Sequence, residues 1–405
     1  MQHKEKTMPE KKFIRYAMFG SLYFTQGTIL SYFTALNALY FLSRGLSMTS
    51  VGIFASIAMI PFVIKIFLGM LSDKVNLFGM GHRKPYILLG LLVQVLCLIL
   101  VAFVDPAKYY WGFVAIAFVL QMGMALYDTC TDGLALDTIP EDEQGTIQSF
   151  MVGGRAVGVI VTASVVGLLA QNVSWTAVFL LLAVFTLVPI PMVLKVREAA
   201  RPVERVFDWK AFSAFKQKTI IALAALGFVF FLIIAGANQI VNPYLQERFD
   251  ISLSQAGYLT TVWGIGVVLG SVVGGQLIQR VGRRRATWIS IIISVAGILP
   301  LAFIPAAWFA WVLVALFGLS YGTYQTVYFS LAMGYTDSRI AASMFSILMA
   351  VTNIAQGAGM ALSGFLADSR FGYAGAFILL AVLNVLAIPI IPIIFGKRQA
   401  AEAVA

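Results

Sequence analysis

Apolar runs of about twenty residues, the length a helix needs to cross a bilayer, recur along this chain and dictate what it can fold into. They lie near 13–41, 50–72, 85–104, 110–139, 146–170, 175–195, 219–245, 254–278, 286–304, 307–335, 340–367 and 372–395. Inside a bilayer every backbone N–H and C=O must be satisfied within the protein, so runs of this length become helices. Only 11% of the residues are charged, against roughly a quarter in soluble domains. The longest polar interruption, REAARPVERVFDWKAFSAFKQK at 197–218, falls between the sixth and seventh runs. The expected fold class is therefore an all-α membrane protein, twelve transmembrane helices in two pseudo-symmetric six-helix bundles. Residues 1–196 form the first bundle, 197–218 a cytoplasmic linker and 219–405 the second bundle.

Charge sets the orientation. Of 28 Lys and Arg, Arg44, Lys108, Arg248 and Arg370 fall on one side of the predicted spans, Lys65 and Arg155 fall within them, and all the rest lie on the other side. Positive residues concentrate in cytoplasmic loops, so both termini are expected in the cytoplasm, with the chain in the cell's inner (plasma) membrane. The +10 net charge is thus topological, and no nucleic-acid partner is expected. The apolar run after MQHKEKTMPEKK is too long for a signal-peptide core and lacks a small-residue cleavage pattern, so it reads as the first span. Cys97 and Cys130 lie in apolar runs and offer neither a disulfide framework nor a zinc spacing; no metal or other cofactor is expected.

The two halves repeat each other. LSMTSVG (46–52) matches ISLSQAG (251–257) in character, and GMLSDK (69–74) matches GQLIQR (275–280). WTAVFLLLAVFTLVPIP (175–191) aligns without gaps to YAGAFILLAVLNVLAIP (373–389), placing Phe179 over Phe377 and Pro191 over Pro389. Parallel half-repeats are a transporter layout, with a central site between the halves near the midplane.

The loop after the second span carries Gly69, Asp73 and Lys74, then Gly81, Arg83 and Lys84; its second copy carries Gly275, Arg280 and GRRR at 282–285, with Gln279 in place of the acidic residue. On these two copies the chain resembles the major facilitator superfamily along essentially its whole length, which implies that family's fold and a gating role for Gly69, Asp73, Lys74, Arg83, Asp137, Arg280 and Arg283. The first half is similar to the folate–biopterin transporters in Lys65-x3-Gly69-x3-Asp73, in the NLFG insert, in Asp128-x3-Asp132 and in IQSFMVGGRAVG (147–158). It is equally similar to the muropeptide permeases in the Asp128, Asp132, Asp137, Pro140 series followed by EDEQG (141–145).

Three aspartates in ALYDTCTDGLALD (125–137) stand inside an apolar run, where ionised groups are costly and usually functional. Asp128 and Asp132, four apart, share one helix face. Asp137 is rotated about 140° from Asp132 and lies near the cytoplasmic end, suited to a latch with Asp73 and Arg83. Counting outward from the turn PEDEQG (140–145) puts Arg155 at a depth between Asp132 and Asp128. Lys65, about 12 Å above Asp73 along its helix, falls at similar depth. Two cations and two anions are thus expected to meet near the midplane. A fixed ion-pair cluster is one reading, but buried ion pairs are weak devices for stability. The other makes Asp128 and Asp132 the proton-coupling groups, with Asp128 the deeper, and Lys65 and Arg155 the anion-binding ones. Gly153, Gly154 and Gly158 read as small residues for close helix packing.

The second half offers neutral polar groups: Asn238, Gln239 and Asn242 before Pro243; Tyr321, Tyr324, Gln325 and Tyr328; Asn353 and Gln356. Singly each suits helix–helix hydrogen bonding; together with Gln26 of the first span they are the expected solute contacts.

The expected function is secondary active transport of a small organic anion by alternating access with proton coupling, that is, a monomeric symporter embedded in lipid and not an enzyme. No G-x4-G-K-[ST] phosphate loop occurs, so ATP hydrolysis is not the expected power source. Paired aspartates also suggest an intramembrane aspartyl protease, but Asp128 and Asp132 share one helix and no G-x-G-D element occurs. A receptor or assembly factor on the same scaffold, and a proton-driven exporter of lipophilic compounds, stay open as alternatives, because fold does not fix function.

Overall fold

Helices in the computed structural model begin and end close to where the apolar runs do. Residues 12–139, 143–196, 198, 216–335 and 341–402 are described, and among them there is no β-strand. In chain order the helices are α1 Lys12–Ser31, α2 Asn37–Ser43, α3 Met48–Val63, α4 Lys65–Lys74, α5 Lys84–Val101, α6 Tyr110–Thr138, α7 Gln144–Asn172, α8 Trp175–Leu187 and α9 Ile190–Leu194. They continue with α10 Lys218–Phe249, α11 Leu253–Ile298, α12 Ala307–Tyr335, α13 Ala341–Asp368, α14 Gly372–Leu383 and α15 Ile390–Glu402. Polar caps mark several starts. Ser174 accepts the N–H of Ala177 at 3.1 Å before α8, and Ser252 forms a reciprocal capping box with Gln255 before α11, satisfying donors that the first helical turn leaves free.

Ten helical stretches among the described residues are long and apolar enough to cross a membrane; the chain is an integral multi-pass membrane protein. The count differs from the expected twelve for two reasons. The expected eighth and ninth spans run on as Leu253–Phe303, 51 residues, about 75 Å at 1.5 Å per residue and more than twice the ~30 Å hydrocarbon core. Gly282, at φ 78° and ψ 162°, breaks that stretch. The expected first span, near 13–41, is not among the ten; Thr25, Gln26 and Thr28 dilute its apolar content while facing inward. A π-helical segment, Tyr32–Leu36, also interrupts it.

Two compact units form: Met1–Phe33 with Ile64–Phe207, and Thr34–Val63 with Asp208–Ala405. The chain therefore leaves the first unit inside the π-helical segment and re-enters it at Ile64, the residue between α3 and α4. Pro61 lies three residues before that break, and proline removes a backbone donor from the helix. Residues 34–63, expected with the first half, thus pack with the second.

Within the first unit α1 lies against α7. An added Cβ at Gly154 would come within 2.1 Å of the Gly20 carbonyl, and at Gly158 within 2.2 Å of that of Phe24, the close approach that small residues allow. Gly153 faces open space instead and plays no part in this packing. Within the second unit, the rings of Phe230 and Tyr324 stack at 3.4 Å between centroids in a core with Leu226, Leu331 and Ile391. The half-repeat is visible locally: α8 stops at Leu187 and helix resumes at Ile190, while α14 stops at Leu383 and helix resumes at Ile390 after a 3-10 turn. Phe179 and Phe377 are both buried.

Candidate functional site

The charged residues of the first unit gather where α1, α4, α6 and α7 meet. Lys65 is the first residue of α4, immediately after the break at Ile64. Its Nζ lies 2.9 Å from Asp128 Oδ2. On the other side Gln26 Nε2 donates to Asp128 Oδ1 at 2.5 Å. One turn along α6, Asp132 accepts a hydrogen bond from the Tyr23 hydroxyl. Asp128 keeps 6% of its side-chain exposure and Lys65 keeps 34%, so the pair is buried at its anionic end and reachable at its cationic end.

Arg155 is placed differently from its partners. It lies near enough to act electrostatically on Asp132, Lys65 and Tyr23, yet its side chain is exposed, and the described residues give it no carboxylate within 4 Å. The sequence expectation that Arg155 pairs within the cluster is not met: among the described residues it has no ion pair. Gln26, expected as a solute contact, instead holds Asp128. Tyr23 was missed: a tyrosine on an apolar helix carries no signal until its partner is known.

A second charged group sits at the end of α4. Arg83 is almost fully buried, donating to Asp73 Oδ1 at 2.6 Å, to Ser72 Oγ at 2.5 Å and to Asp137 Oδ2 at 3.3 Å. The structure thus brings Asp73, Arg83 and Asp137 together, while Lys74 is exposed. Gly133 makes the room, since a Cβ there would lie 2.5 Å from the guanidinium. The second unit repeats this arrangement: Arg283 packs on Gly334, where a Cβ would lie 2.2 Å from Nη1. Each arginine follows a glycine of positive φ, Gly81 at 113° and Gly282 at 78°, a conformation that side chains rarely adopt. The sequence showed the paired loops but not Gly133 and Gly334. Arg283 has no ion pair among the described residues, and Arg280 is exposed.

Two further carboxylates escaped the sequence reading. Glu198 accepts the backbone N–H groups of His82 and Arg83 at 2.8 Å each, and that of Lys84 as well. It therefore fixes the Gly81–Lys84 turn at the start of α5, where an anion complements the free N–H groups and the helix dipole. Glu143, just ahead of α7, pairs with Lys12 at 2.8 Å and with Arg15 of α1, and accepts from the Tyr16 hydroxyl at 3.3 Å. The hydrogen bond from Lys12 and the nearby Arg15 charge hold its carboxyl below the usual glutamate range.

The neutral groups of the second unit are largely committed to one another. Asn242 donates to Thr260 at 2.9 Å, Tyr324 to Asn384 at 2.6 Å, Gln356 to Asn353 at 3.1 Å, and Asn353 to the Phe62 carbonyl at 3.0 Å. Tyr328 is fully buried, and Gln239 nearly so, with neither side-chain amide atom bonded. Asn238, Asn242 and Thr260 are the polar lining of a small, mostly apolar pocket with Val241, Leu259, Trp263 and Phe317. The Tyr321 ring meets Trp263 edge-on at 5.2 Å, and Gln325 is half-buried.

The family model of the major facilitator superfamily matches residues 17–344 and 223–404. The chain belongs to the major facilitator superfamily. Among curated relatives, the folate-biopterin transporter of Synechocystis sp. is 29% identical over 222 residues, 52% of this chain and 44% of that protein. The anhydromuropeptide permease of Escherichia coli is 21% identical over 279 residues, 65% of this chain and 53% of that protein. The chain thus matches about half the length of these relatives. A solved nucleoside transporter, NupG, shares the fold at a TM-score of 0.79 and 16% identity, covering 93% of this chain and 99% of its own.

Proposed function

We propose that this chain is a secondary active transporter that moves a small organic anion together with protons by alternating access. One observation carries the reading. Within helices built for a bilayer, Asp128 is committed to Lys65 and Gln26, whereas among the described residues Asp132 is hydrogen-bonded to the Tyr23 phenol and Arg155 has no carboxylate within 4 Å. Intramembrane charges mark solute and proton pathways. A guanidinium left unpaired beside a carboxylate suits an arriving carboxylate or phosphate, which it can hold bidentately. The names of the two curated relatives point to pterins, folates and muropeptides as solutes to try first.

The topology that goes with this reading is twelve spans, six from each sequence half. The stretch broken at Gly282 counts twice, and the run near 13–41 supplies the first span. Loop charge supports both termini in the cytoplasm and a place in the inner membrane, with the monomer as the working unit. Asp73, Arg83 and Asp137 act as a gating latch.

The test is uptake into proteoliposomes of folate, a reduced pterin and an anhydromuropeptide, each with and without an imposed pH gradient. At least one should exchange against internal cold solute and accumulate when the outside is acidified. Arg155→Ala should abolish uptake while the protein still inserts. Undiminished accumulation by Arg155→Ala would remove the anion site, and counterflow of a solute without any response to pH would remove proton coupling.

A further inference from the structure

The two aspartates of α6 differ in what their partners can do. Asp128 faces the Lys65 ammonium at 2.9 Å, which only donates, and the Gln26 amide nitrogen at 2.5 Å. A proton placed on Asp128 would weaken its ion pair with the Lys65 ammonium, which has no lone pair to accept that proton. Asp132 faces the Tyr23 hydroxyl, which can donate or accept. When Asp132 is ionised, Tyr23 donates to it. When Asp132 is protonated, its own O–H can point at the phenol oxygen, and the bond survives the change of state.

The charged and titratable groups facing Asp132 are Asp128 from its own helix, Lys65 from α4, Tyr23 from α1 and Arg155 from α7. The packed helix α5 carries no charge beyond Lys84 at its far end. Lys65 is bound to Asp128, so Arg155 is the cation whose balance depends on Asp132. With both aspartates ionised the four charges cancel. With Asp132 protonated, two cations and one carboxylate leave a single positive charge on the side of Arg155.

We propose that Asp132 is the protonation site of this transporter, that Tyr23 is the positioning residue keeping its hydrogen bond in both states, and that Asp128 is the ion-pair anchor for Lys65. The proton comes from water and rests on a carboxylate oxygen of Asp132; Tyr23 keeps its phenolic proton and turns from donor to acceptor. Loading this proton removes the negative charge nearest Arg155 and leaves its positive charge uncompensated, so a bound proton favours a bound anion. The sequence favoured Asp128, on depth alone; the partners reverse that order. The inference deepens the transport reading and rests on it only where uptake is measured.

The test is pH-difference infrared spectroscopy of the full chain in lipid, which reads the stretching band of a protonated carboxyl group and needs no solute. Acidification should produce a band that is absent in Asp132→Asn, present in Asp128→Asn and shifted in Tyr23→Phe. Asp132→Glu, which keeps a carboxylic acid, should restore it; helical circular dichroism checks that each variant is folded. A wild-type spectrum without the band, persistence of the band in Asp132→Asn, or its loss from folded Asp128→Asn would overturn the assignment. An unshifted band in Tyr23→Phe would overturn the role of Tyr23. Uptake of folate and a reduced pterin by the same preparations separates the two readings: the infrared result with no uptake keeps the protonation site and removes the transport function.

Discussion

Gly133 stands between Asp132 and Leu134 with no side chain because the Arg83 guanidinium occupies that space. Gly133→Ala should displace Arg83 from Asp73 and Asp137 and cost about 1–3 kcal/mol, the usual penalty of overpacking. Gly153→Ala, with nothing within 4 Å, should be neutral or slightly stabilising, since alanine suits a helix better than glycine. Thermal unfolding of the two variants in detergent measures the contrast, and equal losses would mean that backbone freedom matters rather than the space. Lys65→Met should also destabilise, leaving Asp128 to Gln26 alone, though by less than the 3–5 kcal/mol of a fully buried pair because Lys65 keeps 34% of its side-chain exposure. Lys65→Met with Asp128→Leu should recover most of that loss in a double-mutant cycle. At this scale the sequence was legible where depth decides and opaque where direction does. Counting residues from the loops brought Lys65 to Asp128 and Asp73 to Arg83, because rise per residue fixes height. It could not show that Gln26 would reach Asp128 before any solute, or that Arg155 would stay unpaired, because azimuth depends on how neighbouring helices roll.

The informative features of the helices are their defects. The chain passes between its two compact units within Tyr32–Leu36, a π-helical segment, and at Ile64 after Pro61. Kinks and π-bulges arise at such places and often at functional sites. At the second, the Phe62 carbonyl accepts from Asn353 at 3.0 Å. Asn353→Ala should therefore cost about 1 kcal/mol, a typical net hydrogen bond, readable as a lowered midpoint of unfolding; no change would mean that another donor takes over the carbonyl. The sequence indicated where spans begin and end, because apolar length is a strong signal. The π-segment was invisible, since YFTAL reads as ordinary helix, and Glu198 was hidden among the many charges of the linker. Glu143 gives this scale its pH dependence. Lys12 and Arg15 depress its carboxyl, so the clamp between α1 and α7 contributes above the ordinary glutamate range and is lost as pH falls through the lowered value. Stability of the wild type in detergent should drop over that acid range more steeply than that of Glu143→Gln; parallel curves would show that the clamp contributes nothing.

For the whole molecule, duplication predicts symmetry and the residues predict where it fails. Both halves place an arginine after a positive-φ glycine and seat it on a glycine of a later helix, Arg83 on Gly133 and Arg283 on Gly334. Among the described residues only the first has two carboxylates on the guanidinium, at 2.6 and 3.3 Å; Gln279 takes the acidic place in the second copy. The latches should therefore differ in strength. Arg83→Gln removes the cation that Asp73 and Asp137 share, so repulsion between the two carboxylates at the ends of α4 and α6 is no longer offset by the guanidinium. Arg283→Gln removes a guanidinium whose described surroundings hold no carboxylate within 4 Å. If gating uses these contacts, Arg83→Gln should change the turnover of counterflow at saturating solute several-fold, and Arg283→Gln much less, with affinity little altered in both. Asp73→Asn should behave like a milder Arg83→Gln, because Asp137 remains. Equal effects of the two arginine variants on turnover would mean that the glycine seats, which the halves share, set the gate and that the carboxylates do not. A collapse of affinity with turnover intact would instead place Arg83 among the groups that hold the solute.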